Sequence, residues 1–189
     1  MTNQLNPKVR ESEIAISFSK YAKGYDKHAI LQSMMAKRLA LFLPDEMHNQ
    51  ILEIGCGTGL FTKYLLELEP KKLIINDISI EMIKQLKEKI FLPNYVEILV
   101  GNAEAIKIKP VDIITANAVF QWFKSPEKSL MYLSSFIKPG GKMIFSTFGP
   151  ETLAKFRQIF AIESPASLIS FDKWKKIIEL AGLTLNSSA

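Results

Sequence analysis

The 189 residues predict one α/β domain: a mostly parallel sheet with helices on both faces. Three observations predict it. Apolar runs of strand length alternate with stretches of three- and four-residue apolar spacing, as strands joined by crossover helices do. A glycine turn, Glu53-Ile54-Gly55-Cys56-Gly57-Thr58-Gly59, joins the apolar run Ile51-Leu52 to a helical pattern beginning at Leu60-Phe61. The conspicuous polar residues fall where strands end, and ligands of such sheets bind beyond the carboxyl ends of the strands.

Taken in order, Asn3 to Ser12 is polar, so residues 1–12 are expected to be a flexible N-terminus and 13–189 a single domain. From Tyr25 to Phe42, Ile30, Leu31, Met34, Met35 and Leu39 recur at helical spacing, and Pro44 follows. Strands are expected at Gln50–Ile54, Leu73–Asn76, Val96–Val100, Val111–Ala116 and Lys142–Phe148. Helices are expected near Leu60–Leu68, Ile80–Ile90, Glu127–Phe136, Glu151–Phe160 and Asp172–Ala181. Residues 161–170 read as a short lid broken by Pro165, and Gly182-Leu183-Thr184-Leu185 as the start of a sixth strand.

Composition narrows the class. Apolar content of 48% and charged content of 23% are those of a globular domain with a full core. No apolar run is long enough to span a bilayer, and the polar N-terminus lacks the apolar stretch of a signal peptide. The single Cys56 excludes an internal disulfide, so a cytoplasmic location is expected. No Cys/His cluster suggests a metal, and Cys56 reads as a small packing residue. Net charge is +5, but the basic residues are scattered and only Arg10, Arg38 and Arg157 are arginines. That is a solvated surface rather than a nucleic-acid stripe, although a basic face also suits an acidic partner.

The glycine turn carries the chemistry. Glycines take φ > 0 and leave no Cβ between backbone and ligand. The dinucleotide fingerprint is G-x-G-x-x-G. Here the spacing is G-x-G-x-G, and Glu53 stands two positions before the first glycine. That acid would repel a pyrophosphate and suits a ligand with positive charge, such as an ammonium or sulfonium. The run Leu73-Ile74-Ile75-Asn76-Asp77 ends in a carboxylate 18 residues after Gly59, where an acid is placed to accept ribose hydroxyls. Ile78 follows and is expected to pack on an adenine face.

With these residues in view, the chain resembles the class I S-adenosylmethionine-dependent methyltransferases from about residue 14 to its end. Glu53 to Gly59 is similar to that family's first motif and Asp77 to the acid of its second. Gly101-Asn102-Ala103-Glu104 resembles the third, usually G-D-A, and Val111 to Asn117 the fourth. Ile137-Lys138-Pro139-Gly140-Gly141 resembles the L-K-P-G-G turn before the fifth strand. Three further stretches resemble the malonyl-acyl-carrier-protein O-methyltransferases (the BioC family): Phe18-Ser19-Lys20-Tyr21-Ala22 with Tyr25-Asp26-Lys27-His28-Ala29, Asn117-Ala118-Val119-Phe120-Gln121-Trp122, and Phe145 to Leu153.

The resemblance implies a Rossmann-like three-layer sandwich, here lacking the last of the usual seven strands, as in a fragment or a shortened form. It implies S-adenosyl-L-methionine as cofactor, no metal, and malonyl-acyl carrier protein as partner, its free carboxylate being methylated in biotin precursor synthesis. Cofactor-binding roles pass to Glu53, Gly55, Gly57, Gly59, Asp77, Ile78, Asn102, Ala103 and Asn117. Asn102 stands where the family usually has Asp, keeping an acceptor and adding a donor. Tyr25 and Gln121 are expected to line the methyl-transfer channel as positioning groups, with Tyr21 a further candidate and no general base. Arg157 is the expected substrate cation, since arginine pairs a carboxylate in two-pronged fashion. Trp122 reads as a core wedge. Two alternatives stay open: a methyltransferase for another small acid or hydroxyl, and a shortened, non-catalytic binding protein.

Overall fold

A computed structural model describes residues 7–44, 50–152, 154 and 168–188, with side chains from Glu13 onward. In chain order its elements are α1 (Pro7–Tyr21), α2 (Tyr25–His28), α3 (Ile30–Ala40), β1 (Gln50–Ile54), α4 (Thr62–Glu67), β2 (Lys72–Asp77), α5 (Ile80–Lys89), β3 (Val96–Val100), β4 (Val111–Asn117), α6 (Pro126–Ser134), β5 (Ile137–Ser146) and α7 (Phe171–Leu180). Short 3-10 turns lie at Ala22–Gly24, Ala103–Ala105 and Phe120–Trp122. The five strands are all parallel, in the order β3-β2-β1-β4-β5.

Period-two alternation in the central strands divides the core into two layers. Leu52, Ile54, Ile74, Ile114 and Ala116 face a layer completed by Phe120, Leu130, Leu133, Trp174 and Ile177, so α6 and α7 cover that side. Ile51, Leu73, Ile75 and Ile113 face Ala36, Leu39, Phe61, Leu65, Ile83 and Leu86, so α3, α4 and α5 cover the other. Central strands sandwiched this way read as continuous apolar runs, and β1, β2 and β4 are almost wholly buried. The edge strands β3 and β5 are half-exposed.

Four expectations are corrected. The Lys138-Pro139-Gly140-Gly141 stretch is not a turn before the fifth strand but an irregularity within it. Val111 pairs with Ile137, yet Ile113 pairs with Lys142, and the surplus residues bulge out. Gly140 sits at φ 77°, and a Cβ on Gly141 would meet the Asp112 carbonyl oxygen at 2.6 Å. The expected helix from Tyr25 to Phe42 is broken at Ala29 (φ −89°, ψ 37°) into α2 and α3. Residues 183–188 form no strand; Leu183 packs on the α6–α7 core layer instead. Helix α1 begins inside the segment whose polarity suggested flexibility. The expected helix near Glu151–Phe160 and the lid at 161–170 fall almost entirely outside the described residues.

Candidate functional site

A cavity opens at the carboxyl ends of β1, β2, β3 and β4, where the loops after all four strands meet the N-terminal helices. The turn after β1 builds its floor. Gly55 and Gly57 take φ of 64° and 56°, the left-handed region that costs a side-chain-bearing residue about 1–2 kcal/mol. Cys56 N–H bonds the Asn76 carbonyl at 2.9 Å, which closes the turn onto β2. A Cβ on Gly57 would meet nothing within 4 Å, so this backbone lies bare toward the cavity.

Asp77, at the end of β2, lines the cavity and is 7% exposed. Its Oδ2 accepts from Gly57 N–H at 2.8 Å and its Oδ1 from Ser79 N–H at 2.8 Å. Burial raises its pKa, opposed by these backbone hydrogen bonds. Each oxygen keeps a further lone pair for a ligand hydroxyl. Ile78 and Met82 line the wall beside it. After β3, Asn102 and Ala103 line the opposite wall; the Asn102 side chain accepts from Glu104 N–H at 2.8 Å, capping the 3-10 turn. The amide nitrogen of Asn102 is thereby the end left for a ligand. Asn76 clamps the same corner, donating to the Leu99 and Gly101 carbonyls at 2.9 Å each.

The roof is aromatic. Phe18 of α1 packs edge-on against Trp122 (5.3 Å, 86°) and against Tyr25 (6.2 Å, 61°), and all three line the cavity. Burial, then the nearby Asp77 and Asp26, push the Tyr25 phenol up to about 12. Trp122 is therefore part of the cavity wall, not the core wedge its sequence context suggested. Tyr21 is 59% exposed and does not line the cavity.

Three expected site residues stand behind the wall instead of in it. Glu53 is 1% exposed and turned under the glycine loop, where it accepts from the Thr62 hydroxyl at 2.7 Å. Burial lifts its pKa to about 8, with the Thr62 bond opposing and Asp77 adding to the rise. Near neutral pH this carboxyl is largely protonated, so it acts by holding the turn more than by standing charge. Gly59 is a packing position: a Cβ there would come within 2.4 Å of Ile90 Cδ1 and 3.2 Å of Leu86 Cγ. Gln121 is 1% exposed; it donates to the Ala118 carbonyl at 2.6 Å and accepts from the Thr147 hydroxyl at 3.0 Å. It does not line the cavity, where a positioning group is expected.

What Gln121 holds was missed in the sequence. Ala118, lining the cavity past β4, sits at φ 56° without being glycine. Such strain persists only when surroundings impose it, and the Gln121 amide is part of that imposition. Asn117 also lines the cavity, with both ends engaged: Nδ2 donates to the Gln32 carbonyl at 3.0 Å and Oδ1 accepts from the Ser146 hydroxyl at 2.8 Å. It ties α3 to the strand ends. Asp26 was likewise missed: it accepts from the Thr58 hydroxyl in the glycine turn and pairs with Lys89 of α5 at 2.7 Å. Ser19 and Ser79 hydroxyls meet at 2.9 Å. The N-terminal helices are thus latched over the cavity, and no local pattern announces contacts across so many residues. Arg157 lies outside the described residues; among the described residues lining the cavity none is cationic.

Comparisons with known proteins agree with this geometry. Residues 52–145 match a methyltransferase-domain family. A malonyl-[acyl-carrier protein] O-methyltransferase of Ilyobacter polytropus is 37% identical over 180 residues, covering 90% of this chain and 69% of that protein. The chain belongs to that family, within the class I methyltransferases. A second protein so named from the same organism is 34% identical, covering 89% of this chain and 63% of its own length. The chain thus spans about two thirds of the length of these relatives. The fold is shared with magnesium protoporphyrin IX methyltransferase of Synechocystis with bound SAH (TM-score 0.76, 14% identity, 94% of this chain and 91% of the other).

The cofactor of this methyltransferase family is S-adenosyl-L-methionine, and the cavity suits it. Its lining offers a bare backbone at Gly57, carboxylate oxygens at Asp77 able to accept from hydroxyls, and an apolar wall of Ile78, Met82, Ala103 and Phe123.

Proposed function

We propose that the chain methylates the free carboxylate of malonyl-acyl carrier protein, with S-adenosyl-L-methionine as donor. The family membership motivates the reading, and one observation of the site supports it: among the described residues lining the cavity there is no His, Lys or Cys, and the titratable groups that do line it are engaged. The Tyr25 phenol, pushed up to about 12, stays protonated at neutral pH. Asp77 accepts from two backbone N–H groups, and its remaining lone pairs are assigned on this reading to the cofactor's hydroxyls. Glu104 is bound by the Ser129 hydroxyl at 2.5 Å. An amine or hydroxyl acceptor would call for a base. A carboxylate titrates near ~4 and arrives already ionised.

The sulfonium supplies an activated methyl, so the protein's work is placement and exclusion of water. Placement of two reactants in line is worth up to about 7–11 kcal/mol. Asp77 and the glycine turn would fix the donor. Gln121, through Ala118, and Asn117, through α3, would fix the loop past β4. Phe18, Tyr25 and Trp122 would close the roof against water. Arg157 remains the proposed partner of the acceptor carboxylate. On this reading the protein works in the cytoplasm on a protein-borne acid, not on nucleic acid.

The test is methyl transfer from labelled cofactor with the purified chain. Malonyl-carrier protein should gain a base-labile methyl ester. Methylation of another acid or hydroxyl while malonyl-carrier protein stays unlabelled would overturn the reading. Cofactor binding without transfer to any acceptor would favour a non-catalytic role.

A further inference from the structure

Helix α3 carries an outward face that the methyl-transfer site does not use. At 100° per residue, Ile30, Leu31, Met34, Lys37, Arg38 and Leu41 fall in one stripe of about 120°. All six are exposed, with Ile30 at 65%, Met34 at 64% and Leu41 at 82%. Ala36 and Leu39, on the opposite side, are buried against the sheet. Large apolar side chains gathered on one exposed face mark a contact surface more often than solvent padding. The helix holds no acidic residue, and Lys23 and Lys27 are exposed on the turns just before it.

The helix that carries the stripe is tied to the site through its other side. The Gln32 carbonyl of α3 receives the amide of Asn117, which lines the cavity, and α3 begins five residues after Tyr25 of the roof. A substrate carried on a protein needs such a surface beside the entrance, so that its tethered acyl group reaches in while the carrier stays outside.

We propose that the outward face of α3, with the apolar stripe Ile30-Met34-Leu41 flanked by Lys37 and Arg38, docks the acidic carrier protein that presents the acyl group. This rests on the function proposed above. Apolar side chains would supply the buried centre of the contact, and the cations its charge complementarity and encounter rate. Lys37 and Arg38 flank the stripe, while Lys23 and Lys27 lie on the preceding turns with the acid Asp26 between them; such a dispersed set suits a protein patch better than a membrane, which calls for a cluster of about four to eight cations.

Two measurements test it, one of binding and one of turnover. Unacylated carrier protein, fluorescently labelled, is titrated with the wild-type chain and with the double variant Lys37→Glu/Arg38→Glu. Turnover is then compared on malonyl-carrier protein and on malonyl-N-acetylcysteamine, which is too small to reach α3. The expected result is at least tenfold weaker carrier binding by the variant, and wild-type binding that weakens with salt. KM for malonyl-carrier protein should rise by a similar factor while turnover of the small thioester holds. Met34→Glu should weaken carrier binding as well. Unchanged carrier affinity in both variants overturns the proposal, as does an equal loss on both acceptors. So does anionic-vesicle binding, or a concentration-dependent dimer, that the variants abolish while carrier binding holds. The two readings fail separately. Carrier binding through α3 without methylation sinks the proposed reaction alone, and methylation that ignores the α3 variants sinks the docking surface alone.

Discussion

Two glycines two positions apart, Gly57 and Gly59, separate ligand approach from packing within one turn. Both lie in the left-handed region, at φ 56° and 92°, so alanine at either is strained by about 1–2 kcal/mol. Gly59→Ala also drives a Cβ into Ile90 and the buried Leu86, and overpacking adds about 1–3 kcal/mol. Its melting temperature should fall by several degrees more than that of Gly57→Ala. Gly57→Ala, whose Cβ meets no protein atom within 4 Å, should instead lose cofactor affinity by tenfold or more. Thermal melts and calorimetric titrations of both variants check this; equal effects of the two in both assays would refute the division of roles. Asp77 is tested more directly. Asp77→Ala should weaken cofactor binding by about 1–3 kcal/mol through unpaired ribose hydroxyls. Unchanged affinity in the same titration would remove Asp77 from the site.

The elements show what the sequence could and could not announce. Helices α5 and α7 and the buried strands β1, β2 and β4 lie within a residue or two of their expected bounds, because apolar period is a local property. The break at Ala29, the bulge around Gly140 and the absence of strand at 183–188 depend on what lies across the fold, and period says nothing of that. The site divides the same way. Gly55, Gly57, Asp77 and Ile78 stand at strand ends where spacing put them, Asn102 and Ala103 where the family resemblance put them, and all line the cavity. Gln121 has the same kind of motif address, but its amide turns inward to Ala118 and Thr147. The latch between Asp26 and Thr58 joins residues 32 positions apart and left no local trace. Asp26→Ala releases α2 from the glycine turn and from Lys89. That ion pair is over a third exposed on both sides and contributes only about 0–1 kcal/mol, while the buried Thr58 hydroxyl loses its acceptor at about 1–3 kcal/mol, so global melting should fall by no more than a few degrees. Local opening should change more: amide exchange across α1 and α2 should quicken and cofactor dissociation rise several-fold. Exchange rates equal to wild type would show that the latch does not hold the N-terminal helices down.

At the scale of the whole molecule, two buried acids sit beneath the site of a cationic ligand, and folding bears their cost. Burial raises both Glu53, to about 8, and Asp77. A carboxyl with a folded pKa above its unfolded value binds its proton more tightly in the native state. Its stabilising contribution is therefore complete below the unfolded pKa and disappears as pH climbs through the folded one. For Glu53 that window runs from the ordinary 4.5 up to about 8, the reverse of the usual salt-bridged acid. Glutamine at this position keeps an oxygen for the Thr62 hydroxyl and never ionises. The melting temperature of the wild-type chain should thus decline between about pH 5 and about pH 8.5, and Glu53→Gln should flatten most of that decline while matching wild type on the acid side. On the proposed reading an acid there also answers the ligand: a positive charge bound above the glycine turn would favour the ionised carboxyl. Wild-type cofactor affinity should then strengthen with pH across the same window, and that of Glu53→Gln should not. Identical pH profiles for the two proteins, in melting and in binding alike, would show that Glu53 is only a packing residue.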